Sequence, residues 1–337
     1  MSPERVAVIG AGSWGTALAD MLAMKGTPTT LWSYEEEVAA VINRENRNPR
    51  YLSDVSLDSR LRATSDMGEA VRGAGVVVSV SPSHVVRGVM RDAAAHLGPG
   101  ALVVSASKGI ENDTLQTMDQ VLAEVLPEAV AARAVFLSGP SFALEVAQRQ
   151  PTAVTVASRS PTAAEEAQSL FQTSYFRVYT SSDVPGVELG GALKNVVAIA
   201  AGITDGLGFG YNTRAALITR GLAEITRLGV ALGARPLTFA GLAGMGDLIL
   251  TCTGALSRNR SVGYEMGQGR ALDDVLGGMT MIAEGVRTTR SAHALAARTG
   301  IEMPIVDAVH AVLFEGRGPR DAVEALMLRE PKAEQWS

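Results

Sequence analysis

Arg5-Val6-Ala7-Val8-Ile9-Gly10-Ala11-Gly12-Ser13-Trp14-Gly15 runs from a short, apolar, β-branched segment straight into a G-x-G-x-x-G turn. The apolar part predicts a buried strand. Thr16 to Lys25, rich in Ala, Leu and Met, predicts a helix that stops at Gly26, and Thr29-Thr30-Leu31-Trp32 predicts a second strand. A glycine-rich turn alone is weak evidence. Strand, turn, helix and second strand in this order form the dinucleotide-binding fingerprint. Gly10 allows the tight turn out of the strand. Gly12, lacking a Cβ, lets a pyrophosphate approach a helix N-terminus, where N–H groups and the dipole favour anions. Gly15 lets the helix pack closely on the sheet.

The second strand ends in Ser33-Tyr34, followed by Glu35-Glu36-Glu37. A site selective for NAD usually places Asp or Glu at this tip to hold the ribose 2′-hydroxyl. With the glutamates expected to begin the next helix, Ser33 is expected to accept a 2′-phosphate with no carboxylate beside it. NADP is therefore the expected cofactor, with NAD tolerated.

Further strands are predicted over Val76 to Val80, Leu102 to Ala106, Ala134 to Leu137, Thr152 to Ala157 and Phe176 to Tyr179, with helix-like stretches between. This alternation predicts an α/β fold, an N-terminal Rossmann-like, doubly wound and largely parallel sheet. Short polar motifs stand at three strand ends: Ser81-Pro82-Ser83-His84, Ser107-Lys108-Gly109 and Ser138-Gly139-Pro140-Ser141. Ligands to such sheets bind beyond the carboxyl ends of strands. From about Val184, strand signals stop and Ala/Leu/Gly-rich helical stretches take over. The expected division is a dinucleotide-binding domain over 1–184 and an all-helical substrate and catalytic domain over 185–337, with a frayed tail from Glu330.

Composition agrees with this organisation. The 337 residues suit two domains at roughly 150 residues each. With 30 Lys plus Arg against 35 Asp plus Glu, the net charge of −5 argues against nucleic acid as a partner. Lone Cys252 excludes an internal disulfide framework and a cysteine zinc cluster, no His/Asp/Glu spacing suggests a metal, and a reducing cytoplasm is expected. The start, Met1 to Arg5, has no signal-peptide character, and no uninterrupted apolar run approaches the ~20 residues of a membrane span. The apolar helical domain leaves room for a homodimer.

Three segments of the second half carry chemistry. Glu188-Leu189-Gly190-Gly191-Ala192-Leu193-Lys194-Asn195 sets an ammonium within an apolar helix. Such a lysine either snorkels to the surface or faces the interdomain cleft as a proton donor, its pKa lowered by desolvation. Gly241-Leu242-Ala243-Gly244-Met245-Gly246-Asp247 holds one carboxylate among apolar neighbours, and Asp247 alone reads equally as a helix N-cap. Ser257-Arg258-Asn259-Arg260-Ser261 suits a phosphate group, or is an exposed basic loop.

These motifs, in this order, resemble the bacterial NAD(P)-dependent glycerol-3-phosphate dehydrogenases. The likeness runs from residue 6 to about 315 and includes Gly10 to Ala19, Pro82-Ser83-His84, Ser107 to Glu111, Ser138 to Ala143, Leu193 to Val196, Gly241 to Leu248, Thr251-Cys252-Thr253, Ser257-Arg258-Asn259 and Glu284-Gly285-Val286. The fingerprint fits many dehydrogenases. The lysine, aspartate and Ser-Arg-Asn motifs together are specific.

The resemblance implies that Lys194 is the catalytic proton acceptor or donor, with Lys108 as a second cation and Asp247 orienting the lysine or a substrate hydroxyl. It implies substrate contacts at Lys108, Gly139, Ser141, Lys194, Asp247, Ser257, Arg258 and Asn259, holding a small phosphate ester. Cofactor contacts are implied at Ser13, Trp14, Lys108, Ala143, Arg258, Ile282 and Glu284, beside Gly10, Gly12 and Gly15 of the fingerprint. Ser33 and Tyr34 stand where many relatives carry Arg or His beside the 2′-phosphate, which leaves NADP or NAD open. His84 reads as structural or cofactor-adjacent, and Cys252 as packing. The reaction so implied interconverts dihydroxyacetone phosphate and sn-glycerol 3-phosphate for phospholipid synthesis. Two alternatives stand beside it: a related two-domain reductase of another hydroxy acid or hydroxyacyl substrate, and a non-catalytic dinucleotide sensor.

Overall fold

Val6–Ile9 (β1) pairs in parallel with Thr29–Trp32 (β2) on one side and with Val76–Ser79 (β4) on the other. β1 and β4 are buried at every position, as continuous apolar strands covered on both faces must be. The computed structural model describes residues 5–279, 282–331 and 333–334, so the readings of residues 1–4, and of residues 332 and 335–337 in the tail, lie outside it. The sheet has eight strands in the order β3-β2-β1-β4-β5-β6-β7-β8, where β3 is Arg62–Thr64, β5 Leu102–Ser105, β6 Val135–Ser138, β7 Thr152–Ala157 and β8 Phe176–Ser181. All neighbours are parallel except β6 and β7.

The chain steps outward from β1 to β3, then returns to the other side of β1. The crevice between β1 and β4 is therefore the switch point where doubly wound sheets bind ligands. Gly10 sits there with φ of +118°, and a Cβ on it would meet the Val80 carbonyl at 3.1 Å. The predicted strands are all present. β3 alone lacks a sequence signal: it is three residues long and Arg62 is exposed.

Two apolar clusters fill the two faces of the sheet, one around Leu18, Leu22 and Phe176, the other around Met90, Val121 and Phe136. A third surrounds the helix Val184–Gly206, which forms the axis of the helical domain. Asp183 starts that helix by accepting the Gly186 N–H at 3.1 Å, and Pro185 occupies its first turn. Its length and apolarity would suit a bilayer span, yet 94% of its most apolar window is covered by the rest of the protein.

Glycines bring its neighbour Arg258–Gly267 to backbone contact. A Cβ on Gly202 would stand 2.0 Å from the Arg260 carbonyl oxygen, and one on Gly263 would stand 2.0 Å from that of Ile199. This close crossing carries the Ser-Arg-Asn segment to the side of the lysine helix.

Candidate active site

Asp247 is the focus of the site. It opens the helix Asp247–Thr253, just after a π-helical turn over Leu242–Gly246, and its side chain is 1% exposed. The carboxylate caps nothing. Oδ1 accepts the Lys194 ammonium, and Oδ2 accepts the Lys108 ammonium at 2.6 Å. Lys108 also donates to the Gly139 carbonyl at 3.1 Å. Lys194 also donates to Thr251 Oγ1 at 2.8 Å, and the Thr251 hydroxyl donates to the Asp247 carbonyl at 2.6 Å. Lys194 does not snorkel; it is buried in the cleft.

Two cations on one anion leave the cluster with an excess of positive charge. Burial pulls the Lys194 pKa down to about 8, with Asp247 opposing and Lys108 adding to the fall. Burial pushes Asp247 up, but Lys108 and Lys194 outweigh it and hold the carboxyl below its usual range. An ammonium tuned close to neutral pH can give or take a proton at a reacting oxygen. The strand end shapes the same cleft: Gly139 has φ of +142°, which a side chain would strain, and Ser141 Oγ donates to its carbonyl at 3.0 Å.

The Ser-Arg-Asn segment divides its roles. Ser257 is the N-cap of Arg258–Gly267, its hydroxyl accepting the Arg260 N–H at 3.2 Å. The Asn259 amide donates to Asn195 Oδ1 at 2.9 Å and accepts the Gly285 N–H at 2.9 Å. Arg260 pairs with Asp205 at 2.6 Å. Arg258 is exposed and makes no hydrogen bond or ion pair among the described residues. Its guanidinium is the group of the segment left to meet an anion.

The fingerprint turn fits a dinucleotide. A Cβ on Gly12 would meet nothing within 4 Å, and no side chain caps the helix Ser13–Met24 that follows. A Cβ on Gly15 would lie 1.9 Å from the Gly10 carbonyl, so this glycine does serve close packing. Trp14 turns its ring toward Phe176, 6.4 Å between centroids, which leaves its backbone for the cofactor side. Ser13 Oγ donates to the Tyr51 carbonyl at 2.5 Å. Glu284 accepts both the Ser83 N–H, at 3.2 Å, and its hydroxyl, at 2.7 Å, tying the helical domain to the β4 end. Burial pushes the Glu284 pKa up, with the Ser83 hydrogen bonds opposing. Ala143 begins the short helix Ala143–Ala147, and Ile282 is 40% exposed.

The expectation for Ser33 is corrected. Its side chain is fully buried, and its hydroxyl donates to the Glu35 carbonyl at 2.9 Å, so it is not free for a 2′-phosphate. A carboxylate also stands at the tip after all. Glu36 and Glu37 do begin the helix Glu36–Glu45, but the Glu35 side chain folds back to within 3.5 Å of Ser33 Oγ. Tyr34 is 84% exposed.

His84 lies outside the lysine cluster, and partial desolvation of its ring together with the Arg287 charge lowers its pKa. Cys252 is fully buried and its thiol is pushed up to about 12, which makes it a packing residue. Thr251, Asn195 and Ser83 join the site from motifs quoted above in which no role was given to them, and Tyr51 joins it from outside any quoted motif. For Thr251 a signal existed, since it follows Asp247 by four residues on one helix face.

Two family models match the chain: the NAD-dependent glycerol-3-phosphate dehydrogenase N-terminus over residues 5–164 and its C-terminus over residues 183–324. The chain belongs to this family. Curated relatives extend the match across the chain. The glycerol-3-phosphate dehydrogenase [NAD(P)+] of Syntrophotalea carbinolica is 58% identical, covering 98% of this chain and 99% of its own. That of Geobacter sulfurreducens is 59% identical, covering 99% of each. Among solved structures, the glycerol-3-phosphate dehydrogenase of Coxiella burnetii superposes with a TM-score of 0.92 at 38% identity, covering 97% of this chain and 99% of that one. A ketopantoate reductase from Ralstonia eutropha shares the fold alone, at 17% identity and a TM-score of 0.59.

Proposed function

We propose that the chain interconverts dihydroxyacetone phosphate and sn-glycerol 3-phosphate with NADH or NADPH, and that Lys194 moves the proton at the substrate oxygen. The observation that carries this reading is the Lys194–Asp247–Lys108 cluster, in which two residues of the helical half meet the lysine that follows β5 of the sheet whose β1 runs into the dinucleotide fingerprint. When bound, the dinucleotide supplies the two-electron reduction of the carbonyl carbon. The chain's own residues handle the charge that grows on the oxygen. The Lys194 ammonium stabilises it and delivers the proton, and in the reverse direction the neutral amine accepts it. Asp247 orients both lysines, and Lys108 adds a second positive charge beside the oxygen.

Arg258 is the substrate phosphate's cation, with Ser257 and Asn259 fixing the helix start that presents it. Gly139 and Ser141 contact the substrate from the β6 end, beside Lys108. Gly10, Gly12, Ser13, Trp14 and Gly15 hold the pyrophosphate, and Ala143, Ile282, Glu284, Lys108 and Arg258 hold the nicotinamide half. The two working units are 1–184 and 185–337, a division supported by β8 ending at Ser181 and the long helix starting at Val184. The same reading includes a cytoplasmic homodimer that supplies glycerol 3-phosphate for phospholipid synthesis.

The test is oxidation of the reduced nicotinamide, followed by its absorbance, with dihydroxyacetone phosphate as substrate. Turnover dependent on that ketone is expected. Cofactor binding without turnover would reduce the protein to a sensor, and turnover of an unphosphorylated keto acid instead would make it another reductase.

A further inference from the structure

In doubly wound sheets the tip of the second strand faces the ribose of the dinucleotide. Here that tip carries one carboxylate held in place from three sides. Glu35 stands at the N-cap of Glu36–Glu45 without capping it, because its side chain turns back over the strand end. Its Oε1 accepts the Tyr51 hydroxyl at 2.6 Å and the Arg50 guanidinium at 3.3 Å, while Oε2 lies 3.5 Å from Ser33 Oγ. The segment that supplies Arg50 and Tyr51 is itself fastened to the glycine-rich turn. Asn48 Nδ2 donates to the Ala11 carbonyl at 2.8 Å, Asn48 Oδ1 accepts the N–H groups of Arg50 and Tyr51, and the Tyr51 carbonyl accepts Ser13 Oγ.

The carboxylate is thus braced between the β2 tip and the fingerprint, and its side chain keeps 28% exposure toward the solvent. Oε2, 3.5 Å from its nearest hydrogen-bonding neighbour, retains capacity to accept.

We propose that Glu35 is the ribose-recognising residue of the dinucleotide site and that its carboxylate makes the enzyme select NAD(H) over NADP(H). The inference rests on the dinucleotide reading above and deepens it. A ribose hydroxyl donates to a carboxylate in a charge-assisted hydrogen bond, stronger than one between neutral groups. A 2′-phosphate presents only anionic acceptors at pH 7, and would meet a like charge at contact distance. Arg50 offsets part of that repulsion. It is committed to Glu35, however, and among the described residues no second cation pairs with that carboxylate, while Glu36 and Glu37 open the adjoining helix. Ser33 is closed off by burial and by its bond to the Glu35 carbonyl, so it offers the phosphate nothing.

Titration calorimetry with ADP-ribose and with its 2′-phosphate tests the inference without any turnover. The parent is expected to bind ADP-ribose tighter by about tenfold or more, the size of one charge-assisted contact. Glu35→Gln, neutral and of the same shape, should narrow that ratio several-fold by gaining affinity for the 2′-phosphate. The ratio of kcat/KM for NADH over NADPH should move in the same direction.

Equal binding of the two probes by the parent would overturn the proposal. So would tighter binding of the 2′-phosphate that Arg50→Ala removes, because Arg50 rather than Glu35 would then read the ribose. An unchanged ratio in Glu35→Gln would overturn it as well. Failure of the protein to bind either probe would instead strike the dinucleotide reading itself.

Discussion

Lys194 illustrates how surroundings change a side chain's hold on its proton. An exposed lysine holds its proton far above neutral pH, whereas burial brings this one to about 8 while Asp247 keeps it in place. Ketone reduction needs the ammonium and alcohol oxidation needs the amine. The kcat/KM for reduction is therefore expected to fall about tenfold per pH unit above about pH 8, and that for oxidation to rise up to the same pH and then level off. Rate profiles in both directions check this, and matching profiles would remove Lys194 from proton transfer. Lys194→Ala should lower kcat by ~10²–10⁴-fold while the dinucleotide still binds. Arg258→Ala should raise KM for the phosphate ester about tenfold or more, with a smaller effect on an unphosphorylated ketone. Sequence motifs pointed to Lys194, Asp247 and Arg258 individually. Ser33 misled because its type suits phosphate, and only packing shows that its hydroxyl is already used.

Among the elements, the crossing of Val184–Gly206 with Arg258–Gly267 sets the position of Arg258, the proposed phosphate cation. Glycines at Gly202, Gly206, Gly263 and Gly267 let the two backbones touch, so the start of the second helix is held rigidly beside the first. Gly263→Ala forces the helices apart, since the added carbon would stand 2.0 Å from the Ile199 carbonyl oxygen. Overpacking of this kind typically costs ~1–3 kcal/mol. The expected outcome is a lower Tm together with a raised KM for the phosphate ester, because Arg258 moves with its helix. A normal KM at a lowered Tm would separate packing from phosphate placement. The glycine excess is visible in the sequence, 35 in the chain, but which glycines meet across a crossing depends on helix register. β3 was missed for a related reason: a short edge strand with an exposed Arg62 carries no apolar pattern of its own.

At the scale of the molecule, stability and the site draw on the same interior. Burial raises the carboxyl of Glu188 to about 8, Asp119 adding to the effect, and that of Glu224 to about 7. In the unfolded chain both lose their protons near the ordinary value of 4.5. Between that pH and the folded values the folded protein holds more protons than the unfolded one. Each group then removes up to about 1.4 kcal/mol of stability per pH unit as pH rises, and nothing further above its folded pKa. Glu188→Gln should therefore gain on the parent in Tm as pH goes from about 5 to about 8, and a gap that stays constant would show that Glu188 is already ionised in the folded state.

The linear order of residues specifies the strand–helix alternation, the dinucleotide turn and the types of the reactive groups, because these follow from local periodicity and from the backbone freedom of a few glycines. Asp247 lies 53 residues from Lys194 and 139 from Lys108. Their union, the tuned lysine it produces and the carboxylate braced at the β2 tip come from folding, since charge pairing, desolvation and the occupation of a hydroxyl depend on neighbours that are distant along the chain and adjacent in space.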